Sequence, residues 1–354
     1  MLSSKKIQVL IVDDSATVRQ TMKEILESDP QIEVTGVACD PYVAVERMRQ
    51  RMPDVLTLDI EMPRMDGLTF LKKLMRFHPL PVVIVSSLGQ ASSRATIEAL
   101  QSGAVEVVVK PGGPYSVTEM RDELARKIQA AAHATLRRPE TPPEGRRADS
   151  TPAITTTLSS AVIAIGASTG GVEALGRVLT QLPAEMPPIV VTQHIPPVFS
   201  AEFARRLDKI CRVHVKEAQE GDRLEPGRVM VAPGNFHLTV VKTAAGYRVL
   251  VRDGERVQYQ RPSVDVLFQS VAREVGQDAV GVILTGMGAD GAEGLLAMKR
   301  SGARTMAEDE ASCVVFGMPR EAIRLGAVDQ ILSLDQIAAE LSRYILRPAG
   351  APAS

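Results

Sequence analysis

Short, near-continuously apolar runs alternate with helical patterns along most of this 354-residue chain, and that alternation restricts the fold more than any other feature. In the first half the expected strands are Ile7–Val12, Glu33–Ala38, Val55–Leu58, Val82–Val85 and Val105–Val109. The expected helices are Ser15–Glu27, Tyr42–Gln50, Leu68–Arg76, Ser92–Gln101 and Val117–Ala130. Strands apolar on both faces must be covered on both faces, so five such units predict a parallel sheet with helices on either side.

The second half again reads as α/β, with a less regular middle. Strands are predicted at 162–167, Pro188–Thr192, Arg228–Ala232 and Ala279–Thr285, and Leu238–Val241 with Tyr247–Val251 reads as a hairpin. Helices are predicted at Val172–Gln181, Phe199–Lys209, Val264–Val275, Ala292–Ser301 and Leu334–Ile345. Between the halves, Pro139, Pro142, Pro143 and Pro152 are mixed with charged and hydroxyl residues that could bury no face. This stretch reads as an extended linker, compatible with an ordered loop lying on one domain.

Composition narrows the function classes. A formal net charge of -1 and the absence of Trp give no basis for bulk nucleic-acid binding or base stacking. No apolar run reaches the ~18 residues of a membrane span. The apolar run after Lys5 and Lys6 stops at Asp13 and Asp14 and reads as a strand, not a signal peptide. Cys39, Cys211 and Cys313 are odd in number and far apart, which suits a reducing cytoplasm.

In an open parallel sheet, ligands sit beyond the carboxyl ends of the strands, at the topological switch point. Asp13 and Asp14 follow the first strand, Asp59 the third, Ser86 the fourth and Lys110 the fifth. Asp13 or Asp14 as a helix cap and Asp59 as a turn residue would explain any one of them alone. All of them together with Lys110 point to a divalent cation with oxygen ligands, best suited to Mg²⁺, and to a carboxylate that accepts a phosphoryl group.

These residues resemble the receiver domain of two-component response regulators. The likeness runs from about Ile7 to Ala130 and rests on 12–15, 58–63, 65–67, 85–87 and 109–111. It implies Asp59 as phosphoacceptor, with Asp14, Asp59 and the Glu61 backbone carbonyl as Mg²⁺ ligands and Asp13 in support. Ser86 and Lys110 are implied to sense the phosphoryl group. One position departs from the usual pattern: Val107 stands three residues before the lysine, where many receivers carry an aromatic residue.

In the second half, an apolar run ends in Gly166-Ala167-Ser168-Thr169-Gly170, which fits the G-x-S-x-G nucleophile turn. Ser168 as a plain helix cap is the alternative. A dinucleotide loop fails, because Ser168 replaces the second glycine and no acidic residue ends the next strand. The base a serine needs is sought among His194, His214 and His237. His194 ends a strand and is preferred, His237 is a credible second, and His214 reads as a solvated strand residue. Asp290, after the glycine-rich 285–291 turn, is the expected carboxylate; a role as N-cap of the following helix is compatible. Met287 and Thr169 lie on loops able to offer backbone N–H groups to an oxyanion.

This half resembles the catalytic domain of the CheB family of chemotaxis protein-glutamate methylesterases, over about Ser160 to Ile345. The likeness rests on 165–171, 193–194, 232–234, 237–238, 261–265 and 284–291. It implies a Ser168–His194–Asp290 triad that needs no cofactor. The implied reaction is hydrolysis of γ-glutamyl methyl esters on chemoreceptor helices with release of methanol, often with deamidation of receptor glutamines. It further implies a cytoplasmic protein without membrane insertion, a chemotaxis histidine kinase as phosphodonor, and a receiver that restrains the esterase until Asp59 is phosphorylated. The expected organisation is a flavodoxin-like (βα)5 receiver at 1–132, a linker at 133–157 and a doubly wound, mainly parallel α/β catalytic domain at 158–354.

Overall fold

The computed structural model describes residues 5–110, 117–136 and 161–345, with side chains not described for 117–120, 344 and 345. The chain divides into two compact units, Met1–Pro139 and Glu140–Ser354. Most of the expected linker, and Pro111 of the first site, lie outside the described residues.

The first unit runs β1 (Ile7–Val12), α1 (Ala16–Glu27), β2 (Ile32–Ala38), α2 (Pro41–Gln50), β3 (Val55–Asp59), α3 (Gly67–Phe77), β4 (Val82–Ser86), α4 (Gln90–Gln101), β5 (Glu106–Val109) and α5 (Val117–Ala132). Its five strands are parallel in the order β2-β1-β3-β4-β5. The order reverses between β1 and β3, so the residues after those two strands open onto one crevice. β3 and β4 are buried throughout, as strands covered on both faces must be.

The second unit begins with β6 (Val162–Ala167), α6 (Gly171–Leu179), β7 (Ile189–Gln193), α7 (Phe199–Ile210), β8 (His214–Glu217) and β9 (Arg228–Val231). The hairpin β10 (His237–Thr243) and β11 (Gly246–Arg252) follows, then α8 (Val264–Glu274) and β12 (Ala279–Ile283). The unit ends with α9 (Ala292–Arg300), β13 (Arg304–Glu308), α10 (Met318–Arg324), β14 (Gln330–Leu332) and α11 (Leu334–Ile345). Seven strands form one parallel sheet, ordered β14-β13-β12-β6-β7-β9-β8, and the hairpin stands outside it. The fold class is therefore the expected one. β13, β14 and α10 were not predicted.

From β6 the chain winds outward through β7, and from β12 outward the other way through β13. The switch point thus lies between β6 and β12, and the loops after them face each other there. β6 is buried throughout. Its Gly166 is required by a close approach: a Cβ there would lie 2.2 Å from Val264 Cγ1. No helix among the described residues is long and apolar enough to cross a membrane. All three cysteines are free.

Gly166→Ala is expected to destabilise the second unit by about 1–3 kcal/mol through overpacking. Urea unfolding should show the change paired with Val264→Ala to cost less than the sum of the two single changes, because both act on one contact.

Candidate active site

At the first crevice, Asp13 and Asp59 are almost fully buried while Asp14 is exposed. One ligand atom from each of the three lies within 4.8 Å of the others. Lys110 Nζ donates to Asp59 Oδ2 at 2.7 Å and stands 3.2 Å from Asp13 Oδ2. Burial pushes the Asp59 carboxyl above its ordinary range; Lys110 opposes this and the Asp13 charge adds to it. Asp13 Oδ2 is buried and meets Lys110 as an ion pair without hydrogen-bond geometry. Two buried carboxylates and a third nearby, offset by one lysine, are a donor set short of positive charge, and that fits a hard divalent cation.

The neighbouring residues support this site. Ser15, not Asp13 or Asp14, caps α1, its hydroxyl accepting the Val18 N–H. Asp59 Oδ1 accepts the Glu61 N–H at 3.1 Å, while the Glu61 side chain turns away to Ser92. Ser86 lies at the end of β4, its hydroxyl accepting from Thr96 at 2.8 Å. Val107 is buried in β5, and its carbonyl accepts from Lys127. A Cβ on Gly67 would sit 2.0 Å from the Asp59 carbonyl oxygen, so this glycine lets α3 start against the end of β3.

At the second crevice, the β6–β7 register pairs Ala167 with Gln193, so Ser168 and His194 are the next residues on adjacent strands. The Ser168 N–H donates to the Thr285 carbonyl at 3.0 Å, which ties the serine turn to the end of β12. Gln193 Nε2 donates to the Ser168 carbonyl at 2.9 Å. Ser168 does not cap α6: the N-cap is Gly170, with φ 79° and no side-chain capping bond. The serine hydroxyl is thereby spared a capping role.

His194 Nε2 lies 2.7 Å from Asp290 Oδ2, in a contact with both side chains buried. Its other ring nitrogen, Nδ1, is buried and has no hydrogen-bond partner among the described residues. A buried ring nitrogen left unpaired carries a desolvation cost, and this one is left available to exchange a proton with a neighbouring group. The preference for His194 over His237 therefore rests on occupancy. His237 Nδ1 accepts the Ser263 N–H at 3.2 Å and its Nε2 faces the Glu255 carbonyl at 2.8 Å, so both nitrogens are taken. His214 is at the start of β8 with an exposed side chain.

Asp290 does not cap the helix that follows it; that N-cap is Gly291. Its carboxylate reaches the start of α8 instead. Oδ1 accepts from Ser263 Oγ at 2.8 Å and the Asp265 N–H at 3.0 Å, and Oδ2 accepts the Val264 N–H at 2.8 Å. Burial alone would raise this carboxyl. The His194 contact and the α8 amides overcome that and hold it below the ordinary carboxylate range. Asp265 returns the favour from α8, accepting the Gly294 N–H of α9 at 2.7 Å. Burial, with the Asp290 charge added, pushes Asp265 up to about 6.

The remaining loop residues differ. Thr169 is buried, with its carbonyl accepting from the Thr285 hydroxyl at 2.9 Å. Met287 is exposed, one residue beyond Gly286. A Cβ on Gly286 would lie 2.7 Å from Ser168 Cβ, so this turn presses directly on the serine. Sequence reasoning missed Glu308, the fully buried last residue of β13, whose Oε2 accepts the Thr285 N–H at 2.8 Å. Its strand carries charge at both ends, and that hid it.

Comparison with known proteins agrees with this architecture. Residues 163–341 match the family described as CheB methylesterase, and residues 9–122 match that described as response regulator receiver domain. The chain is similar to a protein-glutamate methylesterase/protein-glutamine glutaminase of Anaeromyxobacter dehalogenans, 54% identical over 352 residues, covering 96% of this chain and 97% of the relative. A protein of the same description from Syntrophus aciditrophicus is 52% identical over 344 residues, covering 96% of this chain and 99% of the relative. The crystal structure of the Thermotoga maritima CheB methylesterase catalytic domain is 38% identical, with a TM-score of 0.51, and covers 52% of this chain and 98% of that one.

The acids at this site predict a pH dependence of stability. Burial pushes Glu308 from 4.5 up to about 7, against the Thr285 N–H. A raised acid favours the neutral form in the fold, so its contribution is complete below pH 4.5 and is lost as pH rises through about 7. The loss is about 3 kcal/mol, and Asp265 acts in the same direction. Asp290 is lowered, so its contribution is lost only as pH falls through the acid range. Glu308→Gln should therefore narrow the gap in urea-unfolding free energy between about pH 5 and about pH 8.

Proposed function

Because the chain belongs to the CheB methylesterase family, with a response regulator receiver domain in its first half, we propose that it is a phosphorylation-controlled serine esterase acting on chemoreceptors. It hydrolyses γ-glutamyl methyl esters on their cytoplasmic helices, releases methanol, and deamidates receptor glutamines. The observation that carries the reading is the His194–Asp290 pair, whose second ring nitrogen is buried and unpaired among the described residues, with His194 and Ser168 directly following the adjacent strands β7 and β6.

In this mechanism His194 accepts the Ser168 proton as Oγ attacks the ester carbonyl. Asp290, saturated by α8, stays ionised and stabilises the imidazolium without taking its proton. Backbone N–H groups at Thr169 and Met287 hold the tetrahedral oxyanion. His194 then gives its proton to departing methanol, and in the second half-reaction activates the water that frees the glutamate.

The receiver sets when this happens. Asp59 takes a phosphoryl group from a chemotaxis histidine kinase or a small acyl phosphate, and Lys110 pairs with the group once transferred. Asp14, Asp59 and the Glu61 carbonyl, supported by Asp13, would hold Mg²⁺, which supplies charge neutralisation for the transferred phosphoryl. The receiver restrains the esterase until Asp59 is phosphorylated, across a domain boundary within 133–157. A change from mostly closed to mostly open needs roughly 3–5 kcal/mol of differential stability.

Methanol release from methylated receptor membranes tests the reading. Ser168→Ala should lower it by about 10³-fold or more with folding intact. A rate unchanged in that variant would refute Ser168 as nucleophile. Asp59→Ala, or a chelator, should abolish stimulation by a small acyl phosphate while leaving the basal rate. Removal of residues before about 158 should raise the rate without phosphodonor; an unchanged rate would count against the restraint.

A further inference from the structure

Glu308 is fully buried, and no step above uses it. Its Oε2 holds the Thr285 N–H. Thr285 in turn sends its other polar groups into the loops around the nucleophile. Its carbonyl accepts the Ser168 N–H at 3.0 Å, and its hydroxyl donates to the Thr169 carbonyl at 2.9 Å and accepts the Val315 N–H at 3.0 Å. Thr285 is therefore a clamp between the serine turn and the loop before α10, and Glu308 grips it from beneath. A space-filling residue at the end of a covered strand would be apolar, because a buried carboxyl carries a desolvation cost that an alkyl group does not.

We propose that Glu308 is a positioning residue of the esterase site, fixing the Ser168 turn through the Thr285 amide. It touches no reacting atom. The proposal rests on Ser168 being the nucleophile. Its leverage is geometric: displacement of a reacting atom by about 1 Å can cost about 10²-fold in rate. Leucine at 308 keeps most of the volume and removes the acceptor, leaving the Thr285 N–H buried and unpaired. Glutamine keeps an acceptor oxygen at the same reach.

The test uses the full chain and two readouts. One is the rate at which a fluorophosphonate ester labels Ser168: the Oγ–P bond forms, the P–F bond breaks, fluoride leaves and His194 takes the hydroxyl proton. The other is kcat and KM for methanol release. Glu308→Leu should slow labelling and lower kcat by about 10–100-fold with KM within about twofold, and Glu308→Gln should recover most of that loss. Combined with Thr285→Val, Glu308→Leu should cost less than the product of the separate effects, since both act along one path. A wild-type labelling rate in Glu308→Leu, or strictly multiplicative effects, would overturn the proposal.

Glu308→Asp serves if the leucine variant does not fold. It withdraws the carboxylate by one methylene and should slow labelling several-fold; a wild-type rate there overturns the proposal equally. Wild-type protein that is labelled at Ser168 but releases no methanol would overturn the substrate assignment alone, with the Glu308 comparison still read from labelling.

Discussion

The catalytic unit depends on where the Asp290 carboxylate finds its donors. A carboxylate this deeply buried must have both oxygens satisfied or lose its charge. Asp290 solves this at the first turn of α8, where unpaired amides and the positive end of the helix dipole are available. That choice dictates much of the sequence around it. The start of α8 must come within hydrogen-bond reach of the loop after β12, and Val264 is carried in with it. Its side chain fills the space a Cβ would take at Gly166 of β6 and at Gly291, where added carbons would lie 2.2 and 2.5 Å from Val264 Cγ1. Asp265 then binds α9 from α8. Asp290, just before α9, thus holds the first turn of α8, and Asp265 of α8 holds the first turn of α9.

The parts of this arrangement legible in sequence were those with a short-range signature. β6 and β12 are unbroken apolar runs whose glycine-rich turns mark where chemistry emerges, and β7 is an apolar run that leads into Thr192-Gln193-His194. His194 is singled out because it directly follows such a run, and Asp290 because it closes the glycine-rich 285–291 turn after β12. What could not be read was which partner each would take. The local rule made Asp290 a cap for α9, yet the carboxylate crosses to a helix that begins 26 residues earlier. The local rule prefers His194 but keeps His237 as a credible second. The difference is that His237 spends both nitrogens on backbone partners at Ser263 and Glu255.

β13 escaped for a related reason. Arg304-Thr305-Met306-Ala307-Glu308 has charge at both ends and a short apolar centre, so no periodicity marks it. The strand is specified by tertiary pairing with β12 and β14 on either side. β14 and α10 are three and seven residues long, too short for a pattern to accumulate. In the receiver half the strand boundaries are closely legible, because four of the five strands end at or just before Asp13, Asp59, Ser86 or Lys110, whose chemistry is itself a marker.

The buried aspartates Asp290 and Asp59 are supplied with donors very differently, and this suits the opposite tasks proposed for them. Asp290 is over-supplied with donors, three from the α8 turn and one from His194, and its carboxyl is held low. Such a group is a poor nucleophile and a poor proton acceptor, which is what the proposed role of steadying an imidazolium requires. Asp59 is under-supplied. It has Lys110 and one backbone N–H, a second buried carboxylate beside it, and a carboxyl pushed up by burial. That deficit leaves its oxygens with capacity for a cation and a phosphoryl group. The same residue type at the carboxyl edge of a parallel sheet therefore becomes inert or reactive according to how many donors the neighbouring helix and loops deliver.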